Sequence, residues 1–171
     1  MTTPPNGSVR ADRGPHRAAR VAIRRAERVD LPAILALHAQ PGMNDGEVIA
    51  LDAAAAIWRR MADYPDYGVY VATAADDGAV VGTFALLVMD NLAHGGAPSA
   101  VVEDVCVDER LRGRGIGRAM MMFAMERARA SGCYKLTLSS NQARAGAHAF
   151  YRALGFEQHG LSFHVPLRAL R

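Results

Sequence analysis

Only two cysteines and one tryptophan occur among the 171 residues, and aromatic side chains make up 6% of the chain. Cys106 and Cys133 lie far apart in apolar contexts with no CxxC spacing, which excludes a disulfide framework and a cysteine zinc site. They read as buried free thiols, the usage expected of a cytoplasmic protein. No hydrophobic run approaches the ~20 residues of a membrane span, and the N-terminus lacks the apolar core of a secretory signal. No pair of histidines has metal-ligand spacing, so no metal is expected. A strong charge of one sign is also missing. The formal net charge is +3, but Arg10, Arg13, Arg17 and Arg20 against Asp12 account for all of it. The rest of the chain is neutral. A nucleic-acid-binding domain needs a basic face, and none is designed here.

What is present is a hydrophobic half, enough for one core in one domain. Residues 1–19, rich in Pro, Gly and Arg, have little to bury and are expected to form a disordered leader before a single domain over 20–171. Val21 and Ile23 alternate as a strand would. Asp30 is expected to cap a helix with Pro32 in its first turn, ending near Ala39. Pro41-Gly42-Met43-Asn44-Asp45-Gly46 breaks it, and Asp52 is a candidate cap for a second helix through Met61. From Tyr67 the apolar period changes from about 3.6 to 2. This predicts strands over Tyr67–Ala74 and Val80–Met89 around an Asp76-Asp77-Gly78 turn. Asn91–Ser99 is a loop, and Ala100–Val107 a central strand that contains Glu103 and Asp104. By alternation Asp104 points to the face opposite Glu103. A helix over Ile116–Ala130 follows, with Met120, Met121, Met122 and Met125 as core filling. A strand over Tyr134–Ser139, a helix over Gln142–Leu154, and one or two strands within Phe156–Leu167 complete the chain. On those last strands His159 and His164 are expected to be half-buried. No internal repeat is visible.

The strand Val101-Val102-Glu103-Asp104-Val105-Cys106-Val107 feeds the glycine-rich turn Arg112-Gly113-Arg114-Gly115-Ile116-Gly117, which opens a helix. Glycines let the backbone approach an anion, and the first helical N–H groups point at it with the dipole behind them. A Walker loop would end in Gly-Lys-Ser/Thr, but Arg118 and Ala119 follow Gly117. A dinucleotide fingerprint would need glycine at position 118. The pattern Arg-x-x-Gly-x-Gly resembles the acetyl-coenzyme A loop of the GNAT superfamily of N-acetyltransferases. So do Asn141 after the next strand and Phe150-Tyr151-Arg152-Ala153-Leu154-Gly155-Phe156, which is similar to the family's "FYxxxGF" element.

The resemblance implies an α/β (α+β) GNAT fold: a mixed, mostly antiparallel sheet of six to seven strands, splayed between the fourth and fifth and flanked by about four helices. It implies acetyl-CoA as co-substrate, bound through Val105, Cys106, Val107, Arg112, Gly113, Arg114, Gly115, Ile116, Gly117, Arg118, Asn141, Phe150 and Tyr151. The amine must lose a proton and the departing thiolate must gain one. Tyr151 occupies the family's donor position, and Glu103 is the candidate base, acting directly or through a water. Its alternative is a structural carboxylate. Gly132-Cys133-Tyr134-Lys135 resembles a stretch of glucosamine-phosphate N-acetyltransferases, though Ser139 and Ser140 replace their acidic residue. Ser139-Ser140-Asn141 with Ala149-Phe150-Tyr151 resembles aminoalkylphosphonate N-acetyltransferases. Both imply a small-molecule amine acceptor, which His94 in its loop could contact. A peptide or protein amine acceptor and a non-catalytic CoA-binding module are the other readings. Family members often pair as homodimers through their terminal strands.

Overall fold

The computed structural model describes residues 19–44, 46–165 and 167. The expected leader falls outside them except for its last residue. Among the described residues there are five strands and four α-helices: β1 (Val21–Arg25), α1 (Leu31–His38), α2 (Leu51–Met61), β2 (Tyr67–Ala74), β3 (Val80–Met89), β4 (Ser99–Val107), α3 (Ile116–Ala130), β5 (Lys135–Leu138) and α4 (Ala145–Ala153). The strands lie in chain order in one sheet. The first three pairings are antiparallel, and β5 joins β4 in parallel. The α3 helix covers one face, packing Ile116, Met120, Met121 and Ala124 on Tyr70, Phe84 and Val102. Ile34 of α1 and Trp58 of α2 cover Val69 and Val71 on the other. The sheet is thus the middle layer of a mixed α+β fold.

Local chemistry differs from expectation at several places. Asp30 stands at the start of α1 but does not cap it with its side chain. Its carboxylate, 5% exposed, accepts two hydrogen bonds from the Arg24 guanidinium at 2.7 and 2.8 Å and one from the Glu27 N–H at 2.7 Å. A buried carboxylate takes the strongest donors within reach, and a bidentate arginine outbids a helix N–H. Ala50, not Asp52, caps α2; Asp52 sits inside the first turn and accepts from the Ala53 N–H. Met120 and Met121 are fully buried, whereas Met122 faces outward. The α4 helix starts at Ala145 instead of Gln142, because the Asn141 side chain accepts from the Ala143 N–H at 2.9 Å and holds a turn there.

Six to seven strands are not matched. Among the described residues after Phe156 none is in a strand. Leu161, Phe163, Val165 and Leu167 alternate as a strand would, yet they are 77%, 88%, 74% and 91% exposed. Alternation makes a strand only where an edge receives it and a core takes its apolar side. His159 and His164 are exposed with them rather than half-buried.

Candidate active site

Two local irregularities open a cleft at one end of the sheet. The first lies in β4. Glu103 pairs with Ala85 of β3 and Cys106 with Thr83, so two residues of β4, Asp104 and Val105, oppose the single Phe84. This is a β-bulge. Asp104 holds it with a left-handed φ of 54°, a conformation aspartate tolerates better than branched residues do. The second is the parting of β4 from β5. Their pairing runs only over Ser99–Val102 against Lys135–Leu138, so among the described residues β4 from Glu103 to Val107 has no strand on that side. The fourth and fifth strands therefore splay as expected.

A cavity of about 150 Å³ occupies the gap. Val102, Glu103, Asp104 and Val105 of β4 line it, with Leu138, Ser139 and Ser140 after β5, Arg144 and Tyr151 from the α4 segment, and Met43 from the turn after α1. Glu103 and Tyr151, assigned as base and acid from sequence alone, thus face one cavity. Asp104 faces it too, contrary to the alternation, because the bulge resets the strand's parity. Asp104, Arg144, Ser140 and Met43 are not among the site residues that the sequence implies. A bulge leaves no mark in an alternation pattern, and the others reach the cavity through chain crossings that no local signal reveals.

One side of the cavity is acidic, with Glu103 and Asp104 in its lining. Glu103 is exposed to the cleft, not sealed in the sheet. Partial burial raises its pKa, and the neighbouring charge of Asp104 raises it further. Burial also raises the Tyr67 phenol, with Asp104 and Glu103 adding to the effect. His38, at the end of α1, is pulled down by burial and partly restored by Asp104. Among the described residues its Nε2 is buried without a hydrogen-bond partner, as is the Ser140 Oγ. Tyr151 is half-buried, with its ring 5.1 Å from Phe150 and 5.7 Å from Phe156. Burial holds its pKa up against the opposing charge of Arg144, so its hydroxyl keeps its proton at neutral pH.

The other side is built for an anion. Gly113 and Gly115 have φ of 77° and 84°, which turn the loop into the first residues of α3. A Cβ at either would meet nothing within 4 Å; the loop is open outward. Among the described residues no backbone acceptor takes the N–H groups from Gly113 to Arg118. A row of free N–H groups at the start of a 15-residue helix fits a pyrophosphate. Gly117 has another reason to lack a side chain. A Cβ there would come within 3.2 Å of the Phe150 ring, so the contact of α3 with α4 uses the space. The charges of Arg112 and Arg144 both reach Cys106, where they oppose the rise that burial gives its thiol. Val105 and Val107 pack toward the α3 core. Asn141 stands exposed at the turn before α4.

His94 is elsewhere. Its ring stacks on Tyr134 at 4.2 Å, just before β5, and it does not line the cavity. Among the described residues no group of three or more His, Cys, Asp or Glu could hold a metal ion. Among the described residues no helix is long and apolar enough to cross a membrane.

Comparison with known proteins agrees with this geometry. The family model described as acetyltransferase (GNAT) family matches residues 47–156, which include the bulge, the loop and Tyr151. A glucosamine 6-phosphate N-acetyltransferase of Trypanosoma brucei brucei is 38% identical over 90 residues, covering 53% of this chain and 59% of that protein. An aminoalkylphosphonate N-acetyltransferase of Salmonella typhimurium is 33% identical over 98 residues, covering 57% of this chain and 63% of that protein. The chain therefore spans less than two thirds of these curated relatives. The crystal structure of a Trypanosoma brucei acetyltransferase superposes with a TM-score of 0.71 at 28% identity, covering 86% of this chain and all of that one.

Proposed function

Since the chain belongs to the GNAT family of acetyltransferases, we propose that it moves an acetyl group from acetyl-CoA to the primary amine of a small molecule, in one ternary complex. The observation that carries the reading is that Glu103 and Tyr151 line one cavity, beside a strand edge with no partner and a loop of free N–H groups. Acetyl-CoA supplies a thioester, an acyl carbon open to attack with a thiolate as leaving group. The N–H groups of Gly113, Arg114, Gly115, Ile116, Gly117 and Arg118 hold the pyrophosphate, with Arg112 and Arg144 adding charge. The free edge of Val105, Cys106 and Val107 receives the amide-bearing arm, and Asn141 and Phe150 close over it. Glu103 accepts the proton of the incoming ammonium, directly or through a water; its raised pKa brings it closer to the range of a useful base. Tyr151 gives its Oη proton toward the sulfur side of the reaction.

The reading of the acceptor as a small amine rather than a peptide is supported by the relatives, which are named as N-acetyltransferases of glucosamine 6-phosphate and of aminoalkylphosphonates. The chain folds as a single domain over 20–171, works in the cytoplasm with Cys106 and Cys133 as free thiols, and forms a homodimer. The alternating, exposed Leu161, Phe163, Val165 and Leu167 support that pairing. Light scattering after gel filtration gives twice the mass of the 18.3 kDa chain if this is right, and the monomer mass if it is wrong. The activity is tested by thiol release from acetyl-CoA against a panel of amino sugars and their phosphates, aminoalkylphosphonates, polyamines and lysine peptides. Release with a free small amine supports the reading. Turnover on peptides alone, or tight CoA binding without turnover on any amine, overturns it.

A further inference from the structure

The acceptor and donor halves of the site are joined by one side chain. Gln40 is half-buried between the end of α1 and the Pro41 turn. Its Nε2 donates to the Leu37 carbonyl at 2.9 Å, to the Cys106 Sγ at 3.1 Å and to the Val107 carbonyl at 3.4 Å, while its Oε1 accepts the Glu109 N–H at 2.6 Å. The Cys106 thiol donates to the same Leu37 carbonyl at 3.2 Å. Gln40 therefore clamps the last residues of β4 and the short 3-10 turn Glu109–Leu111, which leads straight into Arg112. On its other side its own carbonyl accepts the Met43 N–H at 3.1 Å, and Met43 lines the cavity. The Asn44 and Gly46 N–H groups close the same turn on His38 and Ala39.

We propose that Gln40 is a positioning residue that couples occupancy of the donor site to the ordering of the acceptor-side turn. This rests on the reading that the donor's amide-bearing arm lies along Val105–Val107. An amide nitrogen has two hydrogens, and here three acceptors share them, the Val107 carbonyl at the longest distance. A ligand N–H arriving at that carbonyl replaces the weakest contact and leaves the others intact. The clamp then tightens on Leu37, Cys106 and Glu109, and the turn carrying Met43 is fixed with it. Coupling between two sites is reciprocal, so a bound acceptor would tighten donor binding in the same measure.

Hydrogen exchange followed by mass spectrometry tests this on the full chain, with CoA as the probe. In the wild type CoA should slow exchange over 112–118, and over 38–47 by about fivefold or more. In Gln40→Leu it should still protect 112–118 but leave 38–47 unchanged. Gln40→Glu keeps the acceptor for the Glu109 N–H and loses the donors, so it serves if the leucine variant does not fold, and it should lose the same protection. Protection of 112–118 without 38–47 in the wild type, or of both segments in the variants, overturns the coupling. No protection of 112–118 in the wild type overturns the donor-site reading itself, and the coupling with it.

Discussion

Replacing Tyr151 with phenylalanine removes one oxygen and leaves the packing. The ring keeps its neighbours at 5.1 and 5.7 Å, Phe150 and Phe156. Among the described residues the hydroxyl has no hydrogen-bond partner, and it is not sealed from solvent. Its loss should therefore cost less than about 0.5 kcal/mol of stability. If the hydroxyl is the proton donor, kcat should fall by about 100- to 10,000-fold, or about 3–5 kcal/mol of barrier. The pH profile adds a second reading. A donor must be protonated, and burial raises the Tyr151 pKa, so the wild-type rate should hold on the alkaline side past the ordinary tyrosine range, near pH 10. The assay is thiol release at saturating acetyl-CoA with the best acceptor of the panel, beside a thermal melt. A variant that folds normally and keeps kcat within about threefold of wild type would refute the donor role.

Asp104→Asn keeps a residue that tolerates the left-handed backbone while removing the charge that helps raise the Glu103 pKa. A base acts deprotonated, so the acid limb of the rate profile should move to lower pH; burial remains, so it stays above the ordinary carboxylate position. A limb that stays in place removes Glu103 from the base role. Gly115→Ala puts a side chain on a φ of 84°, a strain of about 1–2 kcal/mol. Either the melting point falls accordingly or the loop relaxes and CoA binds about tenfold more weakly; calorimetry showing neither would contradict the cradle. Arg24→Met strips the bidentate partner from Asp30. With Arg24 partly in solvent the loss is about 1–2 kcal/mol at pH 7. Because Arg24 lowers the Asp30 pKa, this stabilisation is complete above the ordinary carboxylate range and is lost as pH falls through the depressed value. Denaturant titrations of the two proteins should therefore converge in acid.

The elements with strong periodicity were legible. The strands Tyr67–Ala74 and Val80–Met89 and the helix Ile116–Ala130 have the bounds that their alternation, turn residues and glycines imply. The cavity was half legible: Glu103 and Tyr151 come from type and position, while Asp104 does not. Alternation presumes an unbroken pleat, and a bulge falsifies that presumption without changing composition. Gln40 was invisible for a different reason. Its partners Cys106, Val107 and Glu109 lie 66–69 positions away, and a hydrogen bond across that separation leaves no local trace. The terminal strands were over-read, because a period of 2 states what a segment can do and not whether an edge is there to receive it.

Asp104 can also be considered as spelling. Val102, Val105 and Val107 face the α3 layer, while Cys106 hydrogen-bonds to α1. With Asp104 struck out, Val102-Glu103-Val105-Cys106-Val107 would be a flawless alternation that pairs with β3 without interruption. The residue is a surplus letter in the code that specifies the strand, and the hydrophobic pattern has no use for it. A chain selected for folding alone would shed it and zip β4 onto its neighbours. Retaining it gives the sheet a stutter, which is where the cavity lies.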